Sequence, residues 1–376
     1  MEVTVHQQVL AGAFIVAVVM GATVSKTQFC TLGAVSDWVN MGDLGRLRAW
    51  VLAMAIAIAG VTVLEVLGIL NLSEATFPPY RTSMFNPLRY VLGGLLFGIG
   101  MTLASGCGNK TLIRLGGGNL KSFVVLLVMS GFAYQMMWGN AYAHWFEPWL
   151  ASTSIDLMQY GLASQSVSDV VIGVTGLSAT PMIKAAIGLV IAGLLLLWVI
   201  RSTEFRSNHD QLLSGIVVGM AVLAGWCLTG GPLGQAWKEY AEFSDVMPSR
   251  VQVQSLTFIS PLGDTVHFLL DAGGHTWLNF GGMVVVGVII GAVIETVSAR
   301  KFRIEWFSSV SDGIRHVCGA ALMGVGGVLA MGCTLGQGVT GASTLAIGAM
   351  LAVCAMMSGA ALTMKYQYWR MLQEDV

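Results

Sequence analysis

Nine long apolar stretches, separated by shorter and more polar segments, limit what this chain can fold into more than any other feature. They cover roughly residues 9–24, 49–70, 88–105, 121–138, 182–200, 211–228, 277–298, 313–331 and 344–363. An α-helix needs about 20 mostly apolar residues to cross the hydrocarbon core of a bilayer. The stretches therefore predict an all-α polytopic membrane protein with about nine transmembrane helices.

The scarcity of charge supports this prediction. Only 10% of the 376 residues are charged, whereas an average soluble domain has about 25%, so a soluble protein could not cover its surface. The formal net charge of −1 leaves no basic excess to neutralise phosphates, which excludes a nucleic-acid partner. Glycines spaced four residues apart favour close helix packing in lipid, and this spacing recurs at Gly94/Gly98, Gly215/Gly219 and Gly287/Gly291.

Lysine and arginine are unevenly distributed about the predicted spans. The loops after spans one, three, five and seven, together with the C-terminal tail, hold 14 of the 19 basic residues. Short cytoplasmic loops of membrane proteins carry the excess of positive charge. The distribution predicts a multi-pass protein of the bacterial inner membrane, surrounded by lipid, with its N-terminus outside and its C-terminus in the cytoplasm.

One segment of the chain is repeated. Residues 89–107 (RYVLGGLLFGIGMTLASGC) align without gaps to residues 315–333 (RHVCGAALMGVGGVLAMGC) at an offset of 226, with ten identities. We predict a first membrane repeat at 1–138, an outer loop and connecting transmembrane helix at 139–210, and a second membrane repeat at 211–376. Four spans plus one connecting span mean that the second repeat starts on the opposite side of the membrane from the first. This inverted repeat is found in many transporters.

Four segments are too polar and glycine-rich for an ordinary span or loop, and they lie at residues 26–37, 105–119, 255–264 and 332–343. Irregular backbone at membrane depth is tolerated only where protein buries it or water reaches it. We predict that these segments are re-entrant loops, two from each side, and that they meet at a central constriction.

Three of the four loops contain a cysteine: Cys30, Cys107 and Cys333. In the fourth loop the offset of 226 places Leu256 opposite Cys30, so the repeat is incomplete there. We predict that the three cysteines line the path of a substrate. The other cysteines lie within ordinary spans, where a thiol behaves as a small apolar group; they are Cys227, Cys318 and Cys354.

Lys110 and Arg114 follow Cys107 at a spacing of four, which places them on one helical face. Their charge predicts attraction of an anion, and the alternative is that both reach the lipid headgroups. Backbone amides in glycine-rich turns can also accept an anion. The loop residues predicted to accompany them are Gly106, Gly108, Asn109, Gly332 and Gln337.

Metal binding is disfavoured by the spacing of the possible ligands. The chain has no CxxC sequence, and its six histidines fall mainly in loops and at span ends, whereas zinc and copper sites require clustered cysteine or histidine. We predict no metal and no cofactor.

The sequences QFCTLGAVSD, SGCGNKTLIRLGGGN and GVLAMGCTLGQGVTG resemble the YeeE/YedE family of sulfur-transport membrane proteins, which includes thiosulfate-uptake transporters. The resemblance implies nine spans, an hourglass shape with buried loops, and three functional cysteines at Cys30, Cys107 and Cys333. It also implies a partner, a small cytoplasmic sulfurtransferase-like protein.

The function implied by the resemblance is uptake of thiosulfate, or of a closely related sulfur-containing anion, through a cysteine-lined central pore, without enzyme activity. Protonated thiols are weak donors and offer the anion shallow contacts from which it can leave. Three alternatives stay open at this point. They are transport of a selenium compound or another sulfur species, a membrane sulfurtransferase that relays sulfur covalently, and a structural or sensor membrane protein.

Overall fold

The computed structural model describes residues 4–72, 76–244, 248–270 and 279–374, and this part of the chain is mostly helical. The segment between the predicted spans 211–228 and 277–298, and the first two residues of the latter span, lie partly outside these ranges.

The first half contains α1 (Val5–Thr27), α2 (Thr31–Met41), α3 (Gly45–Val66), α4 (Pro87–Leu103), α5 (Gly108–Gly116) and α6 (Leu120–Met137). The middle contains α7 (Ala141–Trp145), α8 (Glu147–Leu150), α9 (Val167–Thr175), α10 (Pro181–Ile200) and α11 (Thr203–Ser207). The second half contains α12 (His209–Gly230), α13 (Pro232–Glu242), α14 (Ile259–Leu270), α15 (Phe280–Ser298), α16 (Val310–Leu329) and α17 (Ile347–Glu374).

The remaining elements are short. Two 3₁₀ helices (Ala151–Thr153 and Leu157–Tyr160) follow α8, and a π-helical segment (Gly336–Gly341) lies between α16 and α17. Strand β1 (Thr76–Phe77) pairs in parallel with β4 (Val253–Gln254), and β2 (Met84–Phe85) pairs antiparallel with β3 (Ile155–Asp156).

Eight helical segments of the described residues are long and apolar enough to cross a membrane. They are α1 with α2, α3, α4 with α5, α6, α10, α12, α15 and α17. The protein is therefore a multi-pass membrane protein. The predicted span 313–331 coincides with α16, a helix of 20 residues that is not among the eight and carries Asp312, Arg315 and His316 in its first two turns. A count of nine spans remains a prediction.

The long helices begin where the sequence supplies a cap. Asn119 and Asn279 precede α6 and α15, and their side chains accept hydrogen bonds from the backbone N–H groups of Ser122 and Gly282 at 3.0 and 2.7 Å. Such caps satisfy donors that the first helical turn leaves unpaired. Proline opens α4 and α10, where its missing N–H costs nothing.

The spaced glycines pack the long helices against one another, as predicted. A Cβ atom added to Gly94 would lie 2.6 Å from the carbonyl oxygen of Ala352, and one added to Gly98 would meet the carbonyl oxygen of Met356. These contacts join α4 to α17. The other two pairs behave alike: Gly215 and Gly219 face the carbonyl oxygens of Ala49 and Ala53, and Gly287 and Gly291 face those of Phe14 and Val18.

The two copies of the repeated segment pack against each other. A Cβ atom added to Gly93 on α4 would lie 2.8 Å from the carbonyl oxygen of Gly326 on α16, and one added to Gly100 would lie 2.6 Å from that of Gly319. The earlier residue of α4 thus faces the later residue of α16, so the helices run antiparallel. The offset of 226 converts Gly93 into Gly319 and Gly100 into Gly326, so the two contacts are equivalent.

The same turn follows both helices. Ser105 and Met331, which are 226 residues apart, both adopt left-handed backbone conformations with φ of 57° and 58°. The next residue in each copy donates its N–H to a carbonyl five residues back, Gly106 to Met101 at 2.9 Å and Gly332 to Gly327 at 2.8 Å. In each copy of the repeat, the residue after this glycine is a cysteine, Cys107 in the first and Cys333 in the second.

A charged contact fixes the start of α16. The Nζ of Lys121 lies 2.9 Å from the Oδ2 of Asp312, which also accepts from the backbone N–H of Ser308. Asp312 precedes the predicted span 313–331. The hydrogen bond from Lys121, followed by those from Ser308, lowers the pKa of Asp312 to about 2.

This pairing predicts acid sensitivity. Because the pKa of Asp312 is lower in the folded protein than in the unfolded chain, its stabilisation is present above about pH 4 and is lost as the pH falls toward 2. We expect Asp312→Asn to lower the unfolding midpoint of detergent-purified protein at pH 5–8 and the difference from wild type to vanish near pH 2. A difference that is equally large at pH 2 would contradict this explanation.

Candidate functional site

Each of the three loop cysteines lies at the start of a short helical segment. Cys30 and Cys107 are the N-cap residues of α2 and α5, and Cys333 immediately precedes the turn that leads into the π-helical segment. The Sγ of Cys30 accepts from the N–H of Gly33 at 3.5 Å, and that of Cys333 accepts from the N–H of Gly336 at 3.4 Å. All three cysteines are buried.

The starts of these segments meet inside the protein. The thiol of Cys107 lies close to the thiol of Cys30 and to the hydroxyl of Thr334. Because Thr334 directly follows Cys333, the interaction joins the first two thiols to the segment that holds the third.

A fourth segment, residues 254–258 before α14, completes this centre. The hydroxyl of Thr340 donates to the carbonyl of Leu256 at 2.6 Å, and the backbone of Phe258 contacts the Cys333 thiol. The structure therefore brings together parts of the four segments that the sequence singled out. We call the three cysteines with Thr334 and residues 256–258 the central cluster.

Lys110 and Arg114 lie on α5, beside Cys30. They border a cavity of about 440 Å³ that Cys30, Gly33 and Arg46 also line. Lys110 donates its Nζ to the side-chain oxygen of Gln28, and Arg114 donates to the carbonyl of Ser105 at 2.7 Å. The two predicted anion attractors thus flank a cavity that reaches the first cysteine.

A larger cavity of about 560 Å³ continues from this one and shares Lys110 and Arg114. Its charged lining comprises six bases, Lys26, Lys110, Arg114, Lys121, Lys301 and Arg303, and three acids, Glu295, Glu305 and Asp312. Such an excess of positive charge in a concave site raises the local concentration of anions. We call the two cavities together the basic vestibule.

Another cavity, of about 400 Å³, is lined by two ion pairs. Arg81 pairs with Glu65 at 2.6 Å, and Lys184 pairs with Asp169 at 2.6 Å. Arg81 also donates to the carbonyl of Thr344 at 2.9 Å. The charges around this cavity are largely neutralised by one another, in contrast to those of the basic vestibule.

The remaining predicted loop residues lie in or next to the central cluster. Gly108 is near Phe258: a Cβ atom added to Gly108 would lie 3.9 Å from the Cβ of Phe258. One added to Gly106 would lie 3.5 Å from the Cβ of Lys110. Gly332 lies against Gln337, which is fully buried and donates its side-chain N–H to the carbonyl of Ala330.

Three buried polar atoms around this centre lack a hydrogen-bond partner among the described residues. They are the Oδ1 of Asn109, the Oε1 of Gln337 and the Oγ1 of Thr257. Unpaired buried polar atoms are rare in folded proteins. Asn109 and Gln337 were predicted site residues, whereas Thr257 was missed. The offset of 226 pairs Thr257 with Thr31, which follows Cys30, and this signal could have found it.

The sequence pattern of the sulphur transport family matches residues 26–362. This range contains all three loop cysteines and both repeated segments. The chain belongs to the sulphur transport family. The resemblance that the three cysteine motifs predicted is thereby confirmed.

Two relatives of this sulphur transport protein carry the name thiosulfate transporter TsuA. The protein from Escherichia coli K12 is 25% identical over 341 residues, which cover 85% of this chain and 84% of the relative. The protein from Spirochaeta thermophila is 23% identical over 348 residues, which cover 90% of this chain and 93% of the relative.

The other three cysteines of this family member are less buried than those of the central cluster. Cys318 and Cys354 are exposed on α16 and α17, and Cys227 is half-buried on α12. Throughout the described ranges, no three His, Cys, Asp or Glu side chains are grouped so that they could hold a metal ion.

Proposed function

We propose that this protein is an inner-membrane transporter that takes up thiosulfate, or a closely related sulfur-containing anion, along a central path lined by Cys30, Cys107 and Cys333. One observation carries the proposal: buried thiols meet at the starts of short helical segments, and a basic vestibule reaches the first of them. The names of the two relatives support the choice of substrate.

The chemistry of the central cluster fits an anion with a soft terminal sulfur. Protonated thiols are weak donors, and the N-terminal ends of helices favour negative charge. Lys110 and Arg114 lie in the vestibule rather than within the cluster, so they attract the dianion without holding it at the narrowest point. Weak contacts in series let an ion both enter and leave.

We further propose that the chain contains an inverted repeat with four re-entrant segments. The equivalent antiparallel contacts between α4 and α16 support the repeat, and the matching turns at Ser105 and Met331 support it independently. The short helices α2, α5 and α14 and the π-helical segment would then be the re-entrant elements. This arrangement favours nine spans, in which the predicted span 313–331 on α16 is added to the eight, and the division at 138 and 210.

The orientation is also a proposal. Lys26, Lys121 and Arg303, which belong to three predicted cytoplasmic segments, line one cavity. This grouping supports a cytoplasmic vestibule, with the N-terminus outside and the C-terminus inside.

Uptake into liposomes tests the proposed function. Purified protein, reconstituted without any other protein, is expected to admit radiolabelled thiosulfate faster than protein-free liposomes do, and to discriminate against sulfate, which lacks the terminal sulfur. Well-folded protein that admits no thiosulfate would refute the proposal. Persulfide trapped on Cys30 or Cys107 during turnover would favour covalent sulfur relay instead.

The vestibule makes a separate prediction. Because the proposed vestibule is the cytoplasmic mouth of the path, its positive charge draws the anion out of the central cluster toward the cytoplasm. Neutralising both attractors in Lys110→Gln/Arg114→Gln should lower uptake about tenfold at low ionic strength and much less at high salt, because electrostatic attraction is screened. The matched control is Arg201→Gln, an exposed position after α10 that does not line the vestibule. Equal loss at both salt concentrations would contradict an attracting role.

A further inference from the structure

The fourth segment of the central cluster contains no thiol, but it carries a hydroxyl. The offset of 226 relates Leu256–Thr257 to Cys30–Thr31, so an apolar side chain stands where the first copy has its cysteine. The next residue, Thr257, is 3% exposed. Its Oγ1 is fully buried and has no hydrogen-bond partner among the residues that the structure describes.

The backbone around Thr257 is held firmly in place. The hydroxyl of Ser255 donates to the carbonyl of Val222 at 2.7 Å, and that of Thr340 donates to the carbonyl of Leu256 at 2.6 Å. These two contacts tie the segment to α12 and to the π-helical segment. The position of the Thr257 side chain is therefore set by its neighbours, and its unpaired hydroxyl is not the result of a loose loop.

The hydroxyl of Thr257 and the thiol of Cys333 both lie against Gly336. A Cβ atom added to Gly336 would lie 2.6 Å from the Oγ1 of Thr257 and 3.7 Å from the Sγ of Cys333. Thr257 can approach this closely because residue 336 has no side chain. Gly336 is itself fixed, since its carbonyl accepts from the hydroxyl of Tyr80 at 2.7 Å.

A hydroxyl without a partner is costly in a protein interior, and this one is beside a thiol proposed to contact the substrate. We propose that Thr257 is a further substrate-contacting residue, whose hydroxyl donates to an oxygen of the sulfur oxyanion while the thiols contact its terminal sulfur. The proposal rests on the proposed function and deepens it. A neutral hydroxyl offers one donor and no charge, which suits a site that must release its ion.

Substitutions of nearly equal shape test the hydroxyl. Thr257→Val removes it and keeps the volume, and Thr257→Ser keeps it. In liposomes we expect Thr257→Val to lower thiosulfate uptake at low substrate concentration about tenfold, and Thr257→Ser to stay close to wild type. The matched control is Thr363→Val on α17, whose hydroxyl donates to the carbonyl of Gly359 in its own helix at 2.7 Å.

Thermal unfolding separates contact with the substrate from a structural role. Removing an unpaired buried hydroxyl relieves a cost, so Thr257→Val should unfold at the same temperature as wild type or higher, even though its transport is slower. Thr257→Ala removes the hydroxyl with a smaller side chain and replaces the valine variant if that variant fails to fold.

The outcomes distinguish this inference from the function on which it rests. Wild-type rates in both hydroxyl-free variants would overturn the role of Thr257 and leave thiosulfate transport standing. A loss of uptake that only follows a lower unfolding temperature would also overturn it, since the residue would then be structural. Absence of uptake by folded wild-type protein would overturn the proposed function, and this inference with it.

Discussion

Cys107→Ala is expected to reduce thiosulfate uptake by about ten- to a hundredfold. The estimate follows from losing a hydrogen bond to a charged ligand, which costs roughly 1.5–3 kcal/mol, where about 1.4 kcal/mol is a factor of ten. Cys107 should show the largest effect, because its thiol lies close to both Cys30 and Thr334 and its loss should disturb the other parts of the central cluster. Cys333→Ala and Cys30→Ala should also lower uptake, but by a smaller factor.

The natural controls are Cys318→Ala and Cys354→Ala, since both thiols are exposed on long helices. Growth on thiosulfate as the sole sulfur source, in a host without its own uptake system, measures the same variants in cells. Each variant must be shown to reach the membrane in equal amount. Uptake that persists in all three central variants would keep the substrate and discard the cysteine-lined path.

Gly98→Leu is expected to prevent folding. A side chain at this position would run into the carbonyl oxygen of Met356, and its Cβ would lie 2.9 Å from the backbone nitrogen of Ala360. Backbone atoms of a helix cannot move aside as a flexible side chain can, so α4 and α17 would have to separate. Overpacking alone costs about 1–3 kcal/mol, and separating two helices along a glycine contact should exceed it.

Yield and monodispersity after detergent extraction report this loss, with Gly98→Ala as a milder variant. The matched control is Gly193→Ala on α10, because a Cβ atom there has no heavy atom within 4 Å. Alanine is favoured over glycine in a helix by about 1 kcal/mol, so the control should fold at least as well as wild type. Equal behaviour of Gly98→Ala and Gly193→Ala would contradict the packing argument.

Much of this architecture could be predicted from local pattern. Apolar stretches predicted the long helices, and glycine spacing predicted which faces approach closely, because both depend on residues within one element. The cysteine motifs predicted the family, which is confirmed. The offset of 226 in the sequence also appears in the backbone, at Ser105 and Met331.

The parts that could not be predicted depend on residues distant in sequence. The hydrogen bond from the indole N–H of Trp138 to the Oδ1 of Asp264, at 2.9 Å, joins residues that are 126 positions apart and that the sequence left unrelated. The missing partner of Thr257 is a property of everything packed around it. The polar first turns of α16 lower its mean hydropathy. For this reason nine spans were predicted, whereas eight helical segments of the described residues are long and apolar enough to cross a membrane.

The contacts between the halves have a consequence for biosynthesis. Helix α1 packs mainly on α15 and α12, and α4 packs on α16 and α17, so these two helices find their main partners only in the second half of the chain. Until α17 is made, the glycine face of α4 lacks the helix against which it packs. A nascent chain released before α15 would expose these faces permanently and offer quality-control proteases an unfinished protein. Completion of translation is therefore also the step that closes the fold.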